Sequence, residues 1–152
     1  MLDVGGGSGR VGEFALEAGA ARYVDIDLSD TMLELARQRL DRFGDKVELV
    51  QGDFLTAPLD GRFDVVLALG YFDYIGDATA HVRRISELCA GSVVASFPRW
   101  TWTKGPIRKL RYEVKNKVQI FDYTERQLLD LFGDFKVTLF PGRGGFLLRA
   151  DR

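Results

Sequence analysis

Leu2-Asp3-Val4-Gly5-Gly6-Gly7-Ser8-Gly9-Arg10 is a short apolar run holding an acid, then glycines at 5, 6, 7 and 9, then the start of a helical pattern. Physically this reads as a strand, a tight turn and a helix N-terminus. Glycine lets the backbone take positive φ and lets a ligand lie directly against the main chain. Many such turns bind nothing, so the weight of this one depends on which residues stand downstream at matched distances.

The chain downstream alternates between the two periodicities. Val11, Phe14, Ala15 and Ala18 predict the apolar face of a first helix that Gly19 can end. Tyr23 to Ile26 reads as a second strand closing at Asp27. Ser29 is a candidate N-cap, with Thr31 and Glu34 as an alternative capping box, for a helix whose stripe is Met32, Leu33, Ala36, Leu40 and Phe43. Val47 to Val50 predicts a third strand, followed by the loop Gln51-Gly52-Asp53-Phe54. Pro58 and Gly61 punctuate a loop before Phe63–Gly70, whose near-continuous apolarity fits a central parallel strand buried on both faces. Asp77 can cap the next helix, with Ala78, Val82, Ile85 and Cys89 as its face. Ser92 to Phe97 makes a fifth strand that Pro98 ends. This succession is an open, doubly wound α/β parallel sheet with right-handed crossovers.

Past Pro98 the character changes. Residues 99–117 carry seven basic side chains against Glu113 alone, with Ile107, Leu110 and Val114 as a helical stripe. Thr124 and Gln127 form a capping box for a helix with Leu128, Leu131 and Phe132 on its face. Phe135 to Leu139 alternates at period two, and the turn 141–145 leads into Phe146 to Ala150, which predicts a terminal β-hairpin.

Composition removes several function classes. At 152 residues and 46% hydrophobic content the chain fits one domain, 1–152, with a sizeable core. A formal net charge of −1 gives no general bias toward nucleic acid or membranes. One Cys and one His exclude a disulfide framework and make a metal site a poor reading, so no metal is expected. No apolar run approaches the roughly 18 residues of a membrane span, and a reducing cytoplasm is the default location. Nothing but the strand precedes the glycine turn, which predicts either a minimal core or a piece of a longer chain.

In open α/β sheets, ligands bind outside the carboxyl ends of the strands. Asp3 with the glycines, Asp27, Asp53, the Leu69-Gly70 exit and Phe97-Pro98 all collect there. A carboxylate ending the second strand suits the two hydroxyls of a ribose, and one after the third suits an exocyclic amine. Together they describe a nucleoside-like cofactor. Gly7-x-Gly9-x-x-Gly12 formally matches the dinucleotide fingerprint, but the residue directly after the strand is Gly5. Counted from Gly5 the third fingerprint glycine falls on Arg10, and the pattern fails.

These residues resemble the class I S-adenosylmethionine (SAM)-dependent methyltransferases, with their Rossmann-like sheet. Asp3-Val4-Gly5-Gly6-Gly7-Ser8-Gly9 is similar to that family's first motif, Asp25-Ile26-Asp27-Leu28-Ser29 to its second, Gly52-Asp53 to its adenine-side motif, and Phe63 to Leu67 ahead of Gly70-Tyr71 to its fourth-strand motif. The resemblance covers residues 1–75 and implies strand order 3-2-1-4-5-7-6, with the C-terminal hairpin antiparallel. It implies that Gly5, Gly6, Gly7 and Gly9 admit the methionine and ribose parts, with Asp3 nearby. It implies that Asp27 holds the ribose hydroxyls, Leu28 packs on adenine, Asp53 accepts from the adenine amine beside Phe54, and the backbone at Leu69 faces the methionine amino group.

For such an enzyme the expected reaction is in-line methyl transfer to a small-molecule O or N acceptor. Asp73 and Tyr74 are the candidate bases, and His81 reads as a partly covered structural residue. The run Leu69-Gly70-Tyr71-Phe72 lacks the Asn/Asp-Pro-Pro-aromatic signature of amino-methylation, and lone Cys89 does not suit two-cysteine pyrimidine chemistry. Both absences count against nucleic-acid substrates. The stretch 99–133 is expected to shape the acceptor pocket, with Arg108, Lys109 and Arg111 favouring an anionic acceptor. The family's helices ahead of the first strand have no counterpart in this sequence. That points to weak cofactor binding, or to cover from a partner, an oligomer or an N-terminal segment. Two alternatives remain open: a SAM-binding core without turnover, and a nicotinamide-dependent oxidoreductase.

Overall fold

The parity of two adjacent strands sets up the interior. In the computed structural model, which describes residues 1–99, 121–142 and 144–152, Leu2–Val4 (β1) and Tyr23–Asp27 (β2) run parallel, with Asp3 opposite Asp25. Side chains alternate along a strand, so Leu2, Val4, Val24 and Ile26 share one face with the main core. Tyr23 faces the other way and packs with Leu16 and Leu40. Asp3 and Asp25 share its parity.

The remaining strands are Val47–Gln51 (β3), Phe63–Ala68 (β4), Cys89–Pro98 (β5), Lys136–Pro141 (β6) and Gly145–Asp151 (β7). Among the described residues they form one sheet in the order β3-β2-β1-β4-β5-β7-β6. The β1–β5 pairings are parallel, and β7 joins β5 and β6 antiparallel. This is the predicted architecture and strand order. The expected roles of Arg108, Lys109 and Arg111, and most of the basic stretch, lie outside the described residues.

Helices Arg10–Glu17 (α1) and Asp30–Leu40 (α2) contribute to the smaller cluster; Thr79–Leu88 (α3) and Glu125–Leu131 (α4) pack on the larger one. Ser29 caps α2, its hydroxyl accepting from the Met32 N–H. Thr124 and Gln127 form the expected capping box on α4. Asp77 accepts from the Thr79 N–H at the start of α3. No helix among the described residues is long and apolar enough to cross a membrane.

Three details depart from the sequence reading. The buried face of α1 is Gly12 and Leu16, and Phe14 is 75% exposed. The reason is Tyr23: a Cβ on Gly12 would fall 2.4 Å from its ring, so the helix seats on a position with no side chain for periodicity to count. Met32 is likewise exposed, and α2 ends at Leu40, passing into a 3-10 turn that contains Phe43. Cys89 belongs to β5 rather than to the stripe of α3, and it is buried.

Candidate functional site

The glycine turn after β1 is held from behind by carboxylates. The Gly6 N–H donates to Asp25 Oδ1 at 3.1 Å, and the Gly7 N–H donates to Asp27 Oδ2 at 3.0 Å. Residue 6 must be small for this, because a Cβ there would sit 2.5 Å from Asp25 Oδ1. Gly5 takes φ 71°, and the Tyr71 ring already lies 3.0 Å from where its Cβ would be; both the conformation and the close approach call for glycine. Gly7 and Gly9 also adopt positive φ.

Beneath the turn, Asp3 accepts the Tyr23 hydroxyl at 2.8 Å. Asp3 and Asp25 are both buried, and neither forms an ion pair among the described residues. Adjacent buried carboxylates without a cation cannot both be ionised at modest cost. Burial, only partly offset by the Tyr23 hydrogen bond, pushes Asp3 up to about 6. Burial followed by the neighbouring Asp3 and Asp27 charges pushes Asp25 up to about 8. Burial and the neighbouring charges therefore favour the neutral form of Asp25 near pH 7, and its Oδ2 has no hydrogen-bond partner among the described residues. Sequence inspection did not single out Asp25. The available signal was an acid between Val24 and Ile26, in step with Asp3 and facing a glycine run.

In front of the turn lies a cavity of about 450 Å³ bordered by Gly5, Asp27, Leu28, Asp53, Phe54 and Tyr71, among others. Asp27 stands at its edge. Each carboxylate oxygen accepts one backbone N–H, from Gly7 or Ser29, which leaves lone pairs for further donors. The Gly52 N–H donates to the Asp27 carbonyl, tying the ends of β2 and β3 together. Asp53 then closes a turn by accepting the Leu55 N–H at 2.8 Å. Arg84 of α3 holds this loop: its guanidinium donates to the Ala57 carbonyl and lies 5.6 Å over the Phe54 ring. Leu28 is 73% exposed beside the cavity. At the exit of β4 the Gly70 N–H donates to the Ser96 hydroxyl at 2.7 Å.

Of the residues singled out in the sequence, Gly5, Asp27, Leu28, Asp53, Phe54 and Tyr74 border this cavity. Asp3, Gly6, Gly7, Gly9, Leu69 and Asp73 do not; Gly70 takes the place at the β4 exit. Asp73 and Tyr74 lie on a 3-10 turn, Phe72–Tyr74. Phe72 anchors that turn by stacking on Phe97 at 4.3 Å, and the Tyr123 hydroxyl donates to the Ile75 carbonyl. His81, read as structural, borders the cavity and is hydrogen-bonded to Tyr71. Among the described residues no cluster of side chains suited to a metal ion is present.

The sequence model of a family described as "methyltransferase domain" matches residues 1–91. A probable fatty acid methyltransferase of Pseudomonas putida is 42% identical over 80 residues, 51% of this chain and 20% of that protein. The cypemycin N-terminal methyltransferase of a Streptomyces species is 46% identical over 67 residues, 43% of this chain and 26% of that protein. The chain thus matches only about a quarter of the length of these relatives. In fold, it is similar to magnesium protoporphyrin IX methyltransferase from Synechocystis PCC 6803, solved with bound SAH, at a TM-score of 0.79 and 20% identity, covering 99% of this chain and 73% of that one.

Proposed function

From its membership of the methyltransferase-domain family, to which residues 1–91 assign it, we propose that this chain binds S-adenosylmethionine in the Gly5–Asp27–Asp53 cavity and transfers its methyl group to a small-molecule acceptor through oxygen or nitrogen. The observation that carries the reading is the meeting of two carboxylates, an exposed apolar side chain and a bare glycine backbone around one cavity. These donor and acceptor sets fit the group. Asp27 keeps acceptor capacity for two vicinal hydroxyls, and Leu28 offers an uncovered apolar surface for a flat base. Asp53 offers carboxylate capacity to an exocyclic amine, and Gly5 leaves room for a chain lying against the backbone.

When bound, SAM supplies a methyl group already activated on a sulfonium. What remains for the protein is to hold, orient and shield. The glycine turn is kept rigid by Asp25 and Asp27, and the loop carrying Asp53 by Arg84, so both ends of the cavity are preorganised. An oxygen acceptor has a proton to lose. Asp73 and Tyr74, on the 72–74 turn, are the residues we assign to receive or orient it; an amine bound neutral needs neither. The fatty acid named for one relative supports a small-molecule acceptor, whereas the cypemycin N-terminus named for another is a peptide amine.

The test is transfer of labelled methyl from SAM into fractionated small-molecule extracts, with SAH release followed in parallel. Label in a low-molecular-weight fraction supports the reading. SAM binding with no labelled product in any fraction would replace it with a cofactor-binding core. A thermal shift with NADH and none with SAM or SAH would replace it with the oxidoreductase alternative.

A further inference from the structure

Tyr71 and His81 lie ten residues apart in sequence and meet in the cavity wall, with the Tyr71 hydroxyl 2.7 Å from His81 Nδ1. Both pack on Phe54. The imidazole lies near-parallel to its ring at 6.5 Å between centroids, and Tyr71 stands edge-on at 6.1 Å. Phe54 follows Asp53, whose charge reaches both the phenol and the imidazole. The pair therefore sits at the Asp53 end of the cavity.

Its protonation follows from the surroundings. Burial, followed by the Asp53 charge, raises the Tyr71 phenol above its ordinary value, so the hydroxyl keeps its proton. Burial lowers His81, against the opposing pull of Asp53 and Asp77, so the ring is neutral at pH 7. A neutral imidazole has one lone pair and one N–H. The 2.7 Å contact can form with either group as donor; with the phenol donating to Nδ1, the imidazole N–H falls on Nε2.

We propose that His81 is a specificity-determining residue for the base of the cofactor: while Asp53 accepts the exocyclic amine of adenine, the Nε2–H of His81 donates to the ring nitrogen flanking that amine. A donor beside an acceptor complements adenine, which presents an amine next to an unprotonated ring nitrogen. Tyr71 is the positioning residue that fixes the tautomer. This rests on the cofactor reading above.

The chain has a single histidine, so every imidazole signal in a ¹H–¹⁵N spectrum belongs to His81. The free protein is expected to show the Nε2–H form, and SAH is expected to shift that signal. By titration calorimetry, His81→Phe keeps the ring packing and is expected to weaken SAH binding about tenfold, the size of one hydrogen bond. His81→Gln, which restores a side-chain N–H, is expected to stay within about threefold of wild type. An SAH analogue with carbon replacing the contacted ring nitrogen (position 1 or 7, each tried) should lose affinity for wild type and no more for His81→Phe. If Asp53→Ala weakens SAH binding but His81→Phe binds as wild type does, the inference is overturned and the cofactor site stands. If SAH does not bind, or binds equally to Asp53→Ala, the site assignment fails and the inference with it.

Discussion

Replacing Asp25 with Asn makes permanent the neutral state that the structure imposes on this side chain. Asparagine keeps an oxygen for the Gly6 N–H and places its amide nitrogen at the Oδ2 position. In the folded protein Asp25 is pushed up to about 8, first by burial and then by Asp3 and Asp27; unfolded, it titrates near the ordinary value of about 4. A folded-state value raised in this way contributes stability that is fully present below the unfolded value and is lost as pH climbs toward the folded one. Each proton kept by the folded state and already lost by the unfolded one costs about 1.4 kcal/mol per pH unit. From pH 6 to 7.5, wild type should therefore lose about 2 kcal/mol that Asp25→Asn does not, or about 4–8 °C in Tm for a chain of this size. Asp3, pushed up to about 6, has spent most of its effect below this interval. His81, lowered by burial, contributes the opposite slope below about pH 6.5 in both proteins. Thermal melts of the two proteins at half-unit pH steps measure the difference. Parallel profiles between pH 6 and 7.5 would refute a protonated Asp25.

Two further outcomes are expected. Gly6→Ala drives a Cβ to within 2.5 Å of Asp25 Oδ1 and should cost about 1–3 kcal/mol in urea unfolding; shortening the partner as well, in Gly6→Ala/Asp25→Ala, should cost less than the two single changes summed, and additive costs would mean the two positions do not compete for space. On α1, Phe14→Ser should change stability by no more than about 0.5 kcal/mol, while Leu16→Ala should cost about 2–5 kcal/mol; the reverse ranking would restore the helix phase read from apolar spacing.

Much of the architecture was legible because it depends on local rules. Period-two runs, Ser29, the Thr124–Gln127 box and the Pro141–Gly145 turn each mark an element boundary within a few residues. Gly5 with Asp27 and Asp53 was legible because acids at the ends of parallel strands converge on one edge of the sheet. What escaped was tertiary. The phase of α1 turns on Gly12 against the Tyr23 ring, a contact with no apolar side chain on the helix. Asp25 looked like one acid among several in a motif, and only the register with Asp3 shows two carboxylates sharing a buried face. The contact of His81 with Tyr71 depends on where α3 docks relative to the end of β4, which no spacing within either segment encodes.

Titration calorimetry of SAM on wild type and Asp27→Ala measures whether Asp27 marks a SAM site, with ligand-free melts establishing that the variant is folded. The expected result is saturable binding to wild type and at least about tenfold weaker binding to the variant, as for loss of hydrogen bonds to a charged acceptor. No heat with wild type, or equal Kd for the two proteins, would contradict it.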